Sequence, residues 1–327
     1  MNKALILFML LFFISGCSKL GISGHSVKEK AIPAETSQEP IVLFCPRDNC
    51  TKALVSVINL SQEYVHCAFF DLDLNEVIKI AGEKSKNTDV RLVIDNDNNN
   101  GLVSGDSVRF DSQNQLSHNK FCVIDGYIVS TGSFNPTQRD AYYNNNNLII
   151  FSSRYLAENY ENEFNELWNG YFGEGGKVEY PVVYINGNKV ENYFCPDDKC
   201  SEKVVNAINS AKASIYFMTF SFTKEDIADA ILFKNNIDIK GVFDKTQSGS
   251  KYSQYWRLKD FGMDVKLDKN KYFLHHKVFI IDNETVITGS FNPSSAGEYK
   301  NDENIVIIHN KETAKKYLEE FSYVWNQ

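Results

Sequence analysis

The chain has no run of apolar residues long enough to cross a bilayer as a relaxed helix; its longest unbroken stretch is eleven residues, Ala4 to Ile14. It has no surplus of positive charge: 34 Lys and Arg stand against 42 Asp and Glu, for a net charge of −8. That argues mildly against a protein whose main task is gripping a nucleic-acid backbone, although a local basic cleft is still allowed. With 18 glycines in 327 residues, 43% hydrophobic and 23% charged, it is neither collagen-like nor disordered by composition. The length allows about two domains.

The short apolar run has a meaning of its own. Lys3 supplies one positive charge before it, and Ile14-Ser15-Gly16-Cys17 follows it with two small residues and a cysteine. This is the pattern of a secretory signal and resembles a bacterial lipobox, which implies removal of residues 1–16 and lipidation of Cys17. A plain signal peptide or an uncleaved anchor is the alternative. Cleavage would remove Lys3 and leave −9. Residues 17–40 are polar with two prolines and no hydrophobic period, as in a flexible tether. The expected location is the cell envelope, as an exported membrane lipoprotein, on the outer membrane if the cell is Gram-negative.

Export makes disulfides permissible. Cys45 and Cys50, like Cys195 and Cys200, are candidates for small disulfide-closed loops. Histidines at ligand spacing are lacking nearby, so these pairs do not read as a metal site. Cys67 and Cys122 lie in apolar runs and are expected to be buried small hydrophobes, with a bond between them left open. The Asn-rich segment Asp95–Gly101 superficially resembles a calcium loop. It lacks Gly at the sixth position and Glu at the twelfth, and reads as a turn. No metal or other cofactor is expected.

Two cysteine pairs at an offset of 150 announce a duplication. Each is followed by a helical apolar pattern, then by strand-like runs, Tyr64–Phe70 and Ser214–Phe222, then Val90–Ile94 and Ile237–Phe243. Pro46 and Pro196 are expected at the helix starts. The alternation predicts an α/β fold in two halves, 41–178 and 179–327, which share one active site rather than forming independent domains. The second half is longer in one place, where Lys251–Phe261 has a helical period and the first half has a loop.

The chemistry sits in matched motifs. His118-Asn-Lys120 is followed by Asp125, and His275-His-Lys277 by Asp282, each as HxKx4D. Seven residues past each aspartate comes Gly-Ser-Phe-Asn-Pro, with Ser133 and Asn135 in one copy and Ser290 and Asn292 in the other. Strand alternation puts His and Lys of each motif on one face. Two imidazoles, two ammonium groups, two hydroxyls and two carboxamides suit a phosphodiester. Cations and neutral donors can hold its oxygens while one His attacks phosphorus and the other protonates the leaving oxygen.

These motifs resemble those of the phospholipase D superfamily, over about residues 41–327. Asp244 to Tyr255 and Asn301-Asp-Glu-Asn304 also look like its compact subgroup of small exported nucleases and cardiolipin hydrolases, of which this chain resembles two fused units. The resemblance implies two α/β/α sandwich halves about a pseudo-twofold axis. It also implies a metal-independent reaction through a phosphohistidine, carried by His118, Lys120, Asp125, His275, Lys277 and Asp282. Ser133, Asn135, Ser290 and Asn292 would hold the phosphate, and the two aspartates would orient. Glu303 lies twenty-eight residues past His275, where the family keeps a carboxylate on the histidine; the matching position after His118 is Asn146. From that spacing the His275 side is expected to be the more easily protonated. His66 and His276 have no copy and are expected to be bystanders, His276 pointing away from His275.

Three functions remain in view. One is a phospholipase D-type hydrolase of phospholipids, which a lipid anchor would keep near its substrate. Another is an exported nuclease using the same histidines, favoured by Lys- and Tyr-rich Lys245–Tyr255 and opposed by the acidic balance. The third is a catalytically silent lipid-anchored binding protein. A cardiolipin synthase is conceivable but would usually carry membrane helices. The expected partners are a phosphodiester substrate and a membrane, with the chain working as a monomer whose halves form a pseudo-dimer.

Overall fold

Runs such as Val65-His-Cys-Ala-Phe69 and Lys277-Val-Phe-Ile-Ile281 are buried along their whole length rather than in alternation. That is the mark of strands covered on both faces. The computed structural model describes residues 31–111 and 115–327. Among these the first repeat builds a seven-stranded sheet. Its spatial order is Ile41–Cys45, Asn146–Ser152, Ile128–Gly132, Lys120–Ile124, Tyr64–Phe69, Asp89–Ile94 and Val108–Phe110. The second repeat, joined at one edge by Ala34–Glu35 from ahead of the first repeat, builds a nine-stranded sheet: Ala34–Glu35, Val182–Ile185, Asn188–Cys195, Glu303–His309, Thr285–Gly289, Lys277–Ile281, Ser214–Thr219, Asp238–Phe243 and Asp264–Leu267.

Helices cover the outer faces. Cys50–Leu60 and Asn75–Lys84 pack on the first sheet, through Leu54, Ile58 and Val77. Cys200–Ser210 and Glu225–Leu232 do the same on the second, through Val204, Ile208 and Ile227. The inner faces meet through two long helices. Arg154–Asn169 sets Tyr160 and Phe164 against Phe121 and Ile149 of the first sheet and Phe194 and Val306 of the second. Lys311–Trp325 sets Tyr317 and Phe321 against Val278 and Ile280, with Phe44 arriving from the first sheet. The result is the expected pair of α/β/α layers, and residues 32–327 form one structural unit. No helix of the described residues is long and apolar enough to cross a membrane.

Three local expectations need correction. The helices open at Cys50 and Cys200, not at the prolines; Asn49 caps the first by accepting from the Lys52 amide at 2.9 Å. Pro46 and Pro196 lie in the turns before them. Cys67 and Cys122 are bonded as a third disulfide, because they face each other directly on antiparallel neighbours with Cα atoms 4.0 Å apart. The two short pairs, Cys45–Cys50 and Cys195–Cys200, are also bonded, with Cα atoms 6.0 and 5.8 Å apart. The segment read as tether to residue 40 is fixed earlier, since Ala34 and Glu35 pair in parallel with Tyr184 and Ile185. Edge pairing is a backbone property and needs no apolar period to announce it. The signal segment and Cys17 lie outside the described residues.

Candidate active site

Each motif is stitched to the opposite half just before its strand begins. The His118 amide donates to the Asp302 carbonyl at 3.0 Å and the Asp302 amide to the Leu116 carbonyl at 3.0 Å. In the second copy the His275 amide donates to the Asn145 carbonyl at 2.9 Å, and the Asn145 amide to the Phe273 carbonyl at 2.9 Å. Buried carboxylates hold the approach. Asp95 and Asp111 both accept from the Ser117 amide, at 3.0 and 3.2 Å, and Asp244 accepts from Leu274 at 3.0 Å. Asp268, at the register of Asp111, takes the Lys245 amide at 2.8 Å. Burial pushes Asp95 and Asp268 up to about 6, reinforced in each case by the neighbouring aspartate.

This stitching exchanges the histidine partners. Glu303 does not meet His275; its Oε2 lies 2.8 Å from His118 Nδ1. Asn146 Oδ1 lies 2.8 Å from His275 Nδ1. The sequence spacing within each half gave the reverse assignment, and the cause of the error is the backbone bridge that lays residue 302 beside His118. The carboxylate therefore favours a proton on the His118 side rather than on His275.

The two pairs hold their protons differently. Asn146 donates both amide hydrogens to carbonyls, of Asp140 at 3.2 Å and Asn144 at 3.1 Å. Its oxygen is thus the atom that faces His275, whose Nδ1 must carry the hydrogen, leaving the Nε2 lone pair free. Glu303 is wholly buried and also accepts from Ser290 Oγ at 2.7 Å. Burial pushes it up to about 8, against the pull of Lys120. Burial, with the charges of Lys120 and Lys277, pushes His118 well down. Near neutrality this pair keeps one proton on the carboxyl, donated to Nδ1, so that the His118 hydrogen sits on Nε2.

A second carboxylate stands near His275. Asp140, 3% exposed, has Oδ2 3.5 Å from His275 Nδ1. The same oxygen accepts from the Asn135 amide at 2.8 Å and from Asn135 Nδ2 at 2.9 Å. At the matching place in the second half stands Gly297, whose added Cβ would meet the Asn292 carbonyl at 2.5 Å. One half has Glu and Gly where the other has Asn and Asp. Nothing in a single motif marks Asp140; the offset of 157 between the two His would have led to it.

The lysines are buried beside the imidazoles. Lys277 Nζ donates to the His275 carbonyl at 2.9 Å, and Lys120 Nζ makes the matching bond to His118 at 2.5 Å. Burial lowers Lys120 to about 8, with Glu303 opposing, and lowers Lys277 further still, with the Lys120 charge adding to the effect. Two desolvated cations facing one another suit a shared anion. Phe70 and Phe220, not foreseen from sequence, flank the set. Their rings lie 4.7 and 4.8 Å from His118 and His275, and 4.9 and 5.0 Å from the two ammonium groups.

The remaining motif residues divide. Ser133 and Ser290 are fully buried and their hydroxyls accept from the Asn147 and Asn304 amides, at 3.0 and 2.9 Å. The Oδ1 atoms of Asn135 and Asn292 are buried with no partner in the protein. Asp125 and Asp282 are not brought to the histidines at all. They sit beyond the far end of a five-residue strand, itself about 16 Å long. There each takes three successive backbone amides, those of 62–64 and of 212–214. They therefore anchor the sheet rather than touch substrate.

The two unmatched histidines are packed elsewhere. His66 is 2.8 Å from Glu161 and lies between Tyr64 and Phe164. His276 points away from His275, towards Glu320 at 3.1 Å and Asn147 at 3.2 Å, and burial holds it down at about 3. Asn147 and Asn304 complete a matched seam, accepting from Thr288 and Thr131 across the halves at 2.8 Å each.

With this geometry in hand the likeness to known proteins has a place to attach. A family model described as "Cardiolipin synthase, PLD-like domain" matches residues 54–168 and again 204–325, more than half of the chain. Phospholipase D of Rickettsia conorii is 32% identical over 142 residues, covering 43% of this chain and 71% of its own length. Human mitochondrial cardiolipin hydrolase is 29% identical over 127 residues, 38% of this chain and 50% of that protein. The crystal structure of phosphatidylserine synthase from Haemophilus influenzae Rd KW20 has the same fold, with a TM-score of 0.65 at 12% identity over 88% of this chain and 86% of that one. The chain therefore belongs to the phospholipase D superfamily, with two PLD-like units in one polypeptide, and is a phosphodiesterase hydrolase rather than a silent binding protein.

Proposed function

We propose that the protein hydrolyses the phosphodiester of phospholipids through a phosphohistidine on His275. The observation that carries this is the different partner of each imidazole Nδ1, the buried Glu303 carboxyl for His118 and the Asn146 amide oxygen for His275, from which the opposite hydrogen placement follows. His275 Nε2 attacks phosphorus and forms the N–P bond as the P–O bond to the alcohol breaks. The departing oxygen keeps that electron pair and takes the proton from His118 Nε2. The proton on Glu303 then moves to His118 Nδ1, leaving Nε2 as a base. Water attacks phosphorus, its proton passes to His118 Nε2, and the N–P electron pair returns to His275. Lys120 and Lys277 balance the phosphate charge, with Asn135 and Asn292 as donors to its oxygens once their amides turn.

A phospholipid substrate is supported by the names of the relatives, phospholipase D and cardiolipin hydrolase. It also agrees with a Cys17 lipid anchor, an envelope location and action as a monomer, all of which belong to the same proposal. The test is one side-by-side assay on labelled phosphatidylcholine, cardiolipin and single- and double-stranded DNA, with and without EDTA. Lipid turnover that survives EDTA and is lost in both His118→Ala and His275→Ala is expected. Turnover of DNA alone would transfer the mechanism to a nuclease, and full turnover by either variant would end the two-histidine scheme.

A further inference from the structure

The substrate opening is unlike on its two sides. In the second sheet the strands ending at Thr219, Phe243, Leu267 and Gly289 and those beginning at Lys277 and Glu303 share one edge. The loops 220–224, 244–253, 268–276 and 290–302 all emerge there, around His275. Five lysines on them are exposed: Lys245, Lys251, Lys269, Lys271 and Lys300. Their acids are turned inward, Asp244, Asp268, Glu298 and Asp302 being buried and bonded to backbone amides. Outward acidity starts only behind this edge, at Glu225 and Asp226, the latter 3.1 Å from Lys224. Tyr252 and Tyr299 project among the lysines, 65% and 66% exposed.

The same edge of the first sheet carries loops 70–74, 95–107, 115–119 and 133–145, and no lysine at all among them. Asp97 and Asp106 are exposed there and Asp71 and Asp73 half-buried. The one cation, Arg139, lies over the Phe273 ring of the other half at 4.3 Å. The backbone bridges at His118 and His275 hold these two banks on either side of the histidines.

We propose that the lysine and tyrosine bank of the second half docks the protein on an anionic phospholipid surface, with the aspartate bank facing away. This rests on the phospholipid reading above and says how that substrate is approached. Lysines gain from a negative lipid surface, and tyrosine side chains settle at the depth of the headgroups. A nucleic-acid strand running through the site would carry phosphates past both banks, and the aspartates would repel one side of it. A membrane is met from one side only, which is what a one-sided basic bank fits.

The experiment compares turnover of a small soluble diester, bis(p-nitrophenyl) phosphate, with turnover of vesicle lipid at 0 and 30% phosphatidylglycerol, using the full chain. Wild type is expected to gain on anionic vesicles and to lose that gain in high salt, while soluble turnover stays constant. Replacing the five lysines with Gln should cut turnover on anionic vesicles about tenfold or more and leave the soluble diester unchanged. Wild-type turnover indifferent to phosphatidylglycerol and salt would overturn the docking surface, as would a five-lysine variant that keeps its vesicle turnover. Cleavage of the soluble diester and of DNA but of no vesicle lipid would instead overturn the substrate reading beneath it.

Discussion

Glu303 Oε2 and His118 Nδ1 stand 2.8 Å apart, although the two residues belong to different halves of the duplication. The carboxyl is held up at about 8 by burial, and in the proposed mechanism the pair is the site's proton store. It must be loaded for the first step, so kcat/KM should fall as pH rises through about 8. Glu303→Gln removes the store while keeping the shape. It should lower kcat/KM about 10–100-fold, in the range of lost histidine-orienting partners, and move or abolish that alkaline limb. A pH–rate profile with an unchanged limb would assign it to another group.

Asp140 should serve His275 as Glu303 serves His118, from the short helix Gln138–Tyr142 rather than from the start of a strand. Asp140→Gly alone is expected to cost about 10–100-fold in kcat. Adding Asn146→Glu rebuilds the arrangement of the other half and should recover much of the loss. Kinetics of the single and double variants decide it: a double no better than the single would leave Asp140 as a brace for Asn135 only.

Stability should decline between about pH 6.5 and 8. Asp302 and Glu303 are both raised to about 8, Asp302 chiefly by burial. Over this window the unfolded chain has already released these protons and the folded one still holds them. Raising pH therefore favours unfolding. Lys120, lowered to about 8, acts in the opposite direction only above that value, the lowered histidines act only below their ordinary value, and Lys277, lowered well down, offsets part of the fall. Melting temperatures across pH 6.5–8 should fall, and Glu303→Gln should flatten the fall.

The three disulfides should not be equal. Cys67–Cys122 closes a separation of 55 residues, and the other two close 5 each. On chain-entropy grounds the long closure contributes about 4 kcal/mol and a short one about 2 kcal/mol. Denaturant unfolding of Cys67→Ala/Cys122→Ala against Cys45→Ala/Cys50→Ala measures the difference, and equal losses would point to packing rather than closure.

What the sequence revealed followed from what repeats. His118 and His275, the two lysines and the paired Ser and Asn could be found because each occurs twice at one spacing. The same arithmetic extends to Asp111 with Asp268 and Asn147 with Asn304, once the structure shows where to look. Partner exchange was hidden because spacing along a chain says nothing about which copy a strand end meets. The Cys67–Cys122 bond stays open in the sequence for the same reason, being a matter of register between strands. Asp125 and Asp282 mislead in the other direction: they share the motif's spacing but serve backbone amides at the far end of the strand.

The cross-stitching of the halves has an evolutionary consequence. In a homodimer of identical single-motif subunits every substitution is made twice, once on each side of the axis. Both histidines would then have Glu, or both Asn, and both rims would be lysine-rich, or both aspartate-rich. Joining the copies in one polypeptide lifts that constraint, because each position of the site can vary alone. Glu303 opposite Asn146, Asp140 opposite Gly297 and a basic rim opposite an acidic one are three departures from symmetry that only the fused form permits. In the mechanism proposed above they give two chemically equivalent histidines separate tasks, and a site with no inherent direction a fixed orientation.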